Sequence, residues 1–137
     1  MSIKQNDIRI YSIYINYLFQ YKSWDWAVIY LEKLIKVHPT SEFKGKYGKA
    51  LIKAGRFLEA LPILKAASKA TNKPGQEVYF QHISADYQEA VESAAAYLDA
   101  LKKKGANKEA RKKFDVLQEY LIDLPDFDIR KAFWRSE

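Results

Sequence analysis

Between Ser41 and Ala67, apolar and small residues fall three and four positions apart, first at Tyr47, Gly48, Leu51 and Ile52, then at Phe57, Ala60, Leu61, Leu64 and Ala67. That spacing marks helices with one buried stripe each. Lys44, Lys46, Lys49 and Lys53 take the other faces of the first helix. Gly55 divides the two and supplies the permissive backbone a helix end needs. The segment therefore predicts two helices folded back as antiparallel neighbours. Gly48 and Ala60 are small where these helices cross, so Tyr47, Leu51, Phe57 and Leu64 can interlock around a close backbone approach. Pro62 is expected in about the first turn of the second helix, where a missing amide hydrogen is tolerated.

Moving the chain by 33 residues brings Tyr14 onto Tyr47, Leu18 onto Leu51, Trp24 onto Phe57, Ala27 onto Ala60, Leu31 onto Leu64 and Leu34 onto Ala67. Six coincidences at one shift indicate an internal repeat. The pattern of Tyr47, Gly48, Leu51, Ala60 and Leu64, and upstream of Tyr11, Tyr14, Leu18, Ala27, Leu31 and Pro39, resembles the tetratricopeptide repeat family. Three positions depart from it: Ile15 stands where a small residue is usual, Lys44 where an aromatic is usual, and Asn72 where the first copy has Pro39. A degenerate third copy aligns at a shift of 50, with Tyr97 on Tyr47, Leu101 on Leu51, Gly105 on Gly55, Ala110 on Ala60, Phe114 on Leu64 and Leu117 on Ala67. The resemblance implies an all-α fold, an antiparallel helix-pair solenoid of about three units at about 8–40, 41–74 and 76–125 within a single domain.

The remaining elements fit around these pairs. Asn6 or Asp7 is expected to cap a first helix reaching Tyr21, Ser23 or Asp25 its partner reaching about Val37, and Asn107 the helix that runs to Leu124. His38 to Ser41 and Thr71 to Gly75 read as turns. Residues 76–104 hold no internal Gly or Pro after the opening turn and predict one unusually long helix, or two joined by a kink near 84–86; a rival alignment starts another second-helix segment at Asp86. A short capping helix is expected at about 126–135, where Phe127, Ile129, Phe133 and Trp134 would cover the open end of the stack.

Composition narrows the chemistry. Cysteine is absent, which removes disulfides, thiolate metal sites and a cysteine nucleophile and suits a reducing, cytoplasmic setting. The amino-terminal segment has neither a membrane-length apolar run nor a cleavage-site pattern, so no membrane association is expected. His38 and His82 stand alone apart from Asp86 one turn after His82, and Glu89 and Glu92 have no complementary partner. Phosphate loops, serine elbows and zinc spacings are missing. The expectation is a non-enzymatic protein with no metal and no cofactor.

Binding is the better-supported class. In the family that the chain resembles, the first helix of each pair lines a concave groove. The resemblance implies contacts from Arg9, Asn16, Phe19 and Gln20 in the first unit and Lys46, Lys49 and Lys53 in the second, with Ser12, Ile13, Glu42, Gly45 and Ile52 at neighbouring positions. The expected ligand is an acidic peptide or helix of another protein, and the expected role an adaptor, scaffold or dedicated chaperone; solvation of an exposed helix face accounts for the same lysines. Family members that clamp a terminal carboxylate use a Lys/Asn/Arg set, of which Asn16 matches one Asn, while Ser12 and Lys46 occupy places where Lys and Asn are usual. Trp26, two residues beyond Trp24 and facing away from it, could form with Tyr30 an exposed aromatic patch for a partner or a homodimer; packing against the amino-terminal segment accounts equally well for the pair. The alternative is a nucleic-acid-associated helical repeat. It would use the basic run 102–113 of Lys102, Lys103, Lys104, Lys108, Arg111, Lys112 and Lys113 in a chain of net charge +6.

Overall fold

The computed structural model describes residues 7–123, all helix and turn with no strand among them. Six helices follow one another: α1 Asp7–Gln20, α2 Trp24–Val37, α3 Ser41–Lys53, α4 Phe57–Thr71, α5 Glu77–Lys103 and α6 Asn107–Leu121. The chain forms two compact units, one up to Tyr87 and the other from Gln88. Within the first, α1 packs on α2, α2 on α3 and α3 on α4, the consecutive antiparallel packing of a helical-repeat arrangement. The expected capping helix at 126–135, with Trp134, lies outside the described residues. No described helix is long and apolar enough to cross a membrane.

The repeat is most visible in its turns. Leu18 accepts from the Ser23 amide at 2.9 Å and Phe19 from Lys22 at 3.1 Å; Leu51 accepts from Arg56 at 2.8 Å and Ile52 from Gly55 at 3.0 Å; Leu101 accepts from Ala106 and Lys102 from Gly105, both at 3.0 Å. These are three copies of one paired-bond helix terminus, in which the residue after the helix must enter left-handed backbone. Lys22, Gly55 and Gly105 hold that place with φ of 57°, 81° and 86°. They are separated by the same 33 and 50 residues as the side-chain pattern. Two of the three sites use glycine, and Lys22 alone bears the steric cost of a Cβ there.

Packing of the second pair follows its sequence closely. A Cβ placed on Gly48 would lie 2.4 Å from Leu64 Cγ, so only glycine lets α3 and α4 meet at this level. Ala60, Leu61 and Leu64 are fully buried, as are Leu31, Leu34 and Leu51. The first pair is less enclosed. Tyr47 is 8% exposed, but its counterpart Tyr14 is 43% exposed, and Ile15 rather than Tyr14 fills the core from α1. The difference follows from position: among the described residues α3 packs against both α2 and α4, whereas α1 packs chiefly against α2.

Asp7 lies in the first turn of α1, and Asn6, the other expected cap, lies outside the described residues. Other helix ends depart from expectation in three places. Ser23 occupies the cap position of α2 without a side-chain capping bond. Asn107 is the first residue of α6, leaving Ala106 at the cap. Thr40, not singled out in the sequence, does cap α3, accepting from the Phe43 amide at 3.3 Å. Pro62 is also deeper in α4 than expected: it is the sixth residue, beyond the turn of free amides, so it withholds a hydrogen bond from the Leu58 carbonyl. It sits on the exposed face, where water can take that acceptor.

Residues Glu77–Lys103 form one uninterrupted helix of 27 residues, with no turn that would start a second segment at Asp86. Its first half belongs to the first unit. There Ile83 is buried and would meet a Cβ on Gly45 at 2.9 Å, and Ser84 shares a 2.7 Å hydroxyl hydrogen bond with Ser68 of α4. In the second unit α5 turns through Gly105 into α6. Leu98, Ala110, Phe114, Leu117 and Leu121 are buried, and the Lys113 ammonium stands 6.0 Å above the Tyr97 ring.

Candidate functional site

Three helices of the first unit enclose a groove of about 310 Å³. Phe19 of α1 contributes to the lining. Glu42, Gly45, Lys46 and Lys49 of α3 form one wall, and Tyr79, His82, Ile83, Ala85 and Asp86 of α5 form the other. Its floor is made by a near-contact: Gly45 has no side chain, so Ile83 approaches the α3 backbone, and the charged side chains are left to stand at the rim.

Of the residues expected in a binding groove, Phe19, Lys46 and Lys49 line it. Asn16 is tied to it, since its Oδ1 accepts a hydrogen bond from Lys46 Nζ at 3.1 Å. Arg9, Gln20 and Lys53 are exposed and lie outside the lining. Ile52, placed among the neighbouring groove positions, is only 5% exposed and belongs to the core. Lys46 is held on both sides, by Asn16 and by the Glu42 carboxylate 3.9 Å away. Lys49, by contrast, is exposed and makes no ion pair with another described residue. With Glu42 and Asp86 beside the two lysines, the groove carries both signs of charge.

The long helix at 76–104 is expected from the sequence to deepen or close one side of the groove, but its contact residues are not singled out there, although their signal is in the repeat. Applying the 33-residue shift once more takes Lys46 to Tyr79, Lys49 to His82, Ile52 to Ala85 and Lys53 to Asp86. Each lands on a groove-lining residue. The core positions hid this copy, because Gly48 and Leu51 map to Gln81 and Ser84.

His82 and Asp86 do stand in the groove together, but no group of three or more metal-ligating side chains occurs among the described residues. Elsewhere, Trp26 and Tyr30 do associate, with ring centroids 6.3 Å apart, and Tyr30 also packs on Tyr11 and Tyr14 at 5.9 and 5.0 Å. Trp24 is partly covered and meets the edge of Phe19 at 5.1 Å. In the basic run, Lys113 lies 4.0 Å from Glu109, one turn away.

No family model, curated protein or solved structure matches this chain.

Proposed function

We propose that this chain is a non-enzymatic interaction module of tetratricopeptide type, an adaptor or dedicated chaperone that holds a segment of a partner protein in the groove between α3 and the first half of α5. The observation that carries this reading is the groove's composition. Apolar surface from Phe19, Tyr79 and Ile83 is set between charged rims, the arrangement that suits a peptide bearing one apolar anchor and flanking charge. The recurrence of one turn at the 33- and 50-residue shifts supports the repeat assignment.

The geometry refines the expected ligand. Lys49 is the cation open to a ligand carboxylate, while the negative charge of Asp86 and Glu42 in the same lining disfavours a uniformly acidic segment, so the segment bound should be amphipathic with mixed charge. The test is selection of peptides from a random library, followed by amide chemical-shift mapping on the labelled protein. Selected peptides should perturb residues 45–49 and 79–86, and Lys49→Glu should lower affinity at least tenfold while Lys53→Glu leaves it within about twofold. Equal losses for the two variants, or shifts confined to 102–113, would remove the groove from the proposal. Capturing partners of the tagged protein from native lysate, with and without nuclease, separates a protein partner from one held through nucleic acid.

A further inference from the structure

The outer face of α1 has no role in the groove. Ile10, Tyr14, Tyr17 and Tyr21 recur at intervals of four, three and four, and Ile13 lies beside them. This is the spacing of a seam that packs against another helix. The core of the first unit takes the adjoining side of α1 through Ile15 and Leu18, so apolar residues cover a broad arc of this helix. A helix with so broad an apolar arc is ordinarily buried over most of it.

The exposed apolar surface is extensive. Ile10, Ile13, Tyr14, Tyr17 and Tyr21 are 43 to 65% exposed, and Trp26 of α2 is 57% exposed. Tyr30 joins the two helices into one surface, touching Tyr14 on one side and Trp26 on the other. With aromatic side chains presenting about 150–250 Å² each when free, the patch amounts to roughly 700 Å². That exceeds the largest apolar patch of a typical monomer and approaches the roughly 800 Å² that each partner contributes to a standard interface.

We propose that a second copy of this chain covers this face, with α1 packing antiparallel on α1 across a two-fold axis. The stripe itself carries no charge, so two identical copies meet without like-charge repulsion. An antiparallel arrangement centred between Ile15 and Asn16 sets Ile10 of one copy against Tyr21 of the other and Tyr14 against Tyr17, so that small meets large at the ends. A parallel arrangement would stack tyrosine on its own copy at three levels and overpack the seam.

The experiment is sedimentation equilibrium of the full chain over a concentration series, with Tyr17→Arg and the Tyr14→Ala/Tyr17→Ala double variant in parallel and far-ultraviolet circular dichroism on each. Wild type should sediment as a dimer. Tyr17→Arg brings two cations together near the axis and should weaken the dimer about 100-fold or more with helical signal retained. The double alanine variant should weaken it by shape alone, so the proposal stays testable if the arginine variant fails to fold. Lys49→Glu, on the groove, should leave the dimer intact. A wild type that stays monomeric at 100 µM, as an order of magnitude for the top of the series, would overturn the proposal, as would a dimer that survives both α1 changes in folded protein.

Discussion

Lys22, Gly55 and Gly105 perform the same backbone task with different side chains, which makes the left-handed turn a controlled comparison within one molecule. Nothing lies within 4 Å of a Cβ built on Gly55, so Gly55→Ala should cost only the conformational penalty, about 1 kcal/mol. Lys22→Gly relieves the same penalty and gives back part of it as unfolded-chain entropy, so a gain of about 0.5 kcal/mol is expected. Urea unfolding of the two variants against wild type should show opposite signs. Gly48 differs in kind, because its constraint is contact rather than backbone angle. Gly48→Ala would press a methyl group against Leu64 Cγ and should destabilise by about 2 kcal/mol, with α3 and α4 forced apart.

Among the elements, α4 and α3 yield separate expectations. Pro62 withholds an amide from the interior of α4 on an exposed face, so Pro62→Ala should stabilise by about 1–2 kcal/mol, read as a raised urea midpoint with an unchanged slope. On α3, burial raises the Tyr47 phenol above its ordinary value, Glu32 and Glu59 push the same way and Arg56 opposes; burial, with Glu119, does the same to Tyr120 of α6. A raised value in the folded state means the unfolded chain gives up the proton first. Stability is therefore fully present below about pH 10 and falls as pH rises from there through the folded value. Tyr47→Phe should flatten that decline, which urea midpoints from about pH 8 to 11 would register.

At this scale most of the fold was legible in the sequence. The 33-residue shift located the helices and two turns, and Gly105 located the third. Burial was less legible, because Tyr14 and Tyr47 are equivalent in sequence while α1 packs chiefly on α2 and α3 packs on both α2 and α4. The individual contacts on the α5 wall of the groove were hidden for another reason: its copy of the repeat keeps the groove positions while Gln81 and Ser84 replace the packing residues that carry recognition. Cap residues failed because Ser23 and Asn107 are good capping types at turns whose shared backbone bonds already fix the helix start.

For the whole molecule the question is what encloses α1. Among the described residues α1 packs chiefly on α2, whereas α3 is held between α2 and α4, so a lone protomer should open locally from α1 at little cost while α3 exchanges its amides only on larger unfolding. Enclosure by a second copy changes this in a way that mass action makes measurable. The free energy needed to open α1 should then rise with protein concentration, by about 1.4 kcal/mol for each tenfold increase in free partner above the dissociation constant, while that of α3 changes less. Native-state hydrogen exchange at two concentrations a hundredfold apart would read both helices in the same sample. Slower exchange across residues 10–21 at the higher concentration, lost in Tyr17→Arg, is the expected result. Protection of α1 that matches α3 at both concentrations would mean that the helix is enclosed by its own chain, and its outer stripe would then be a feature of the fold rather than of assembly.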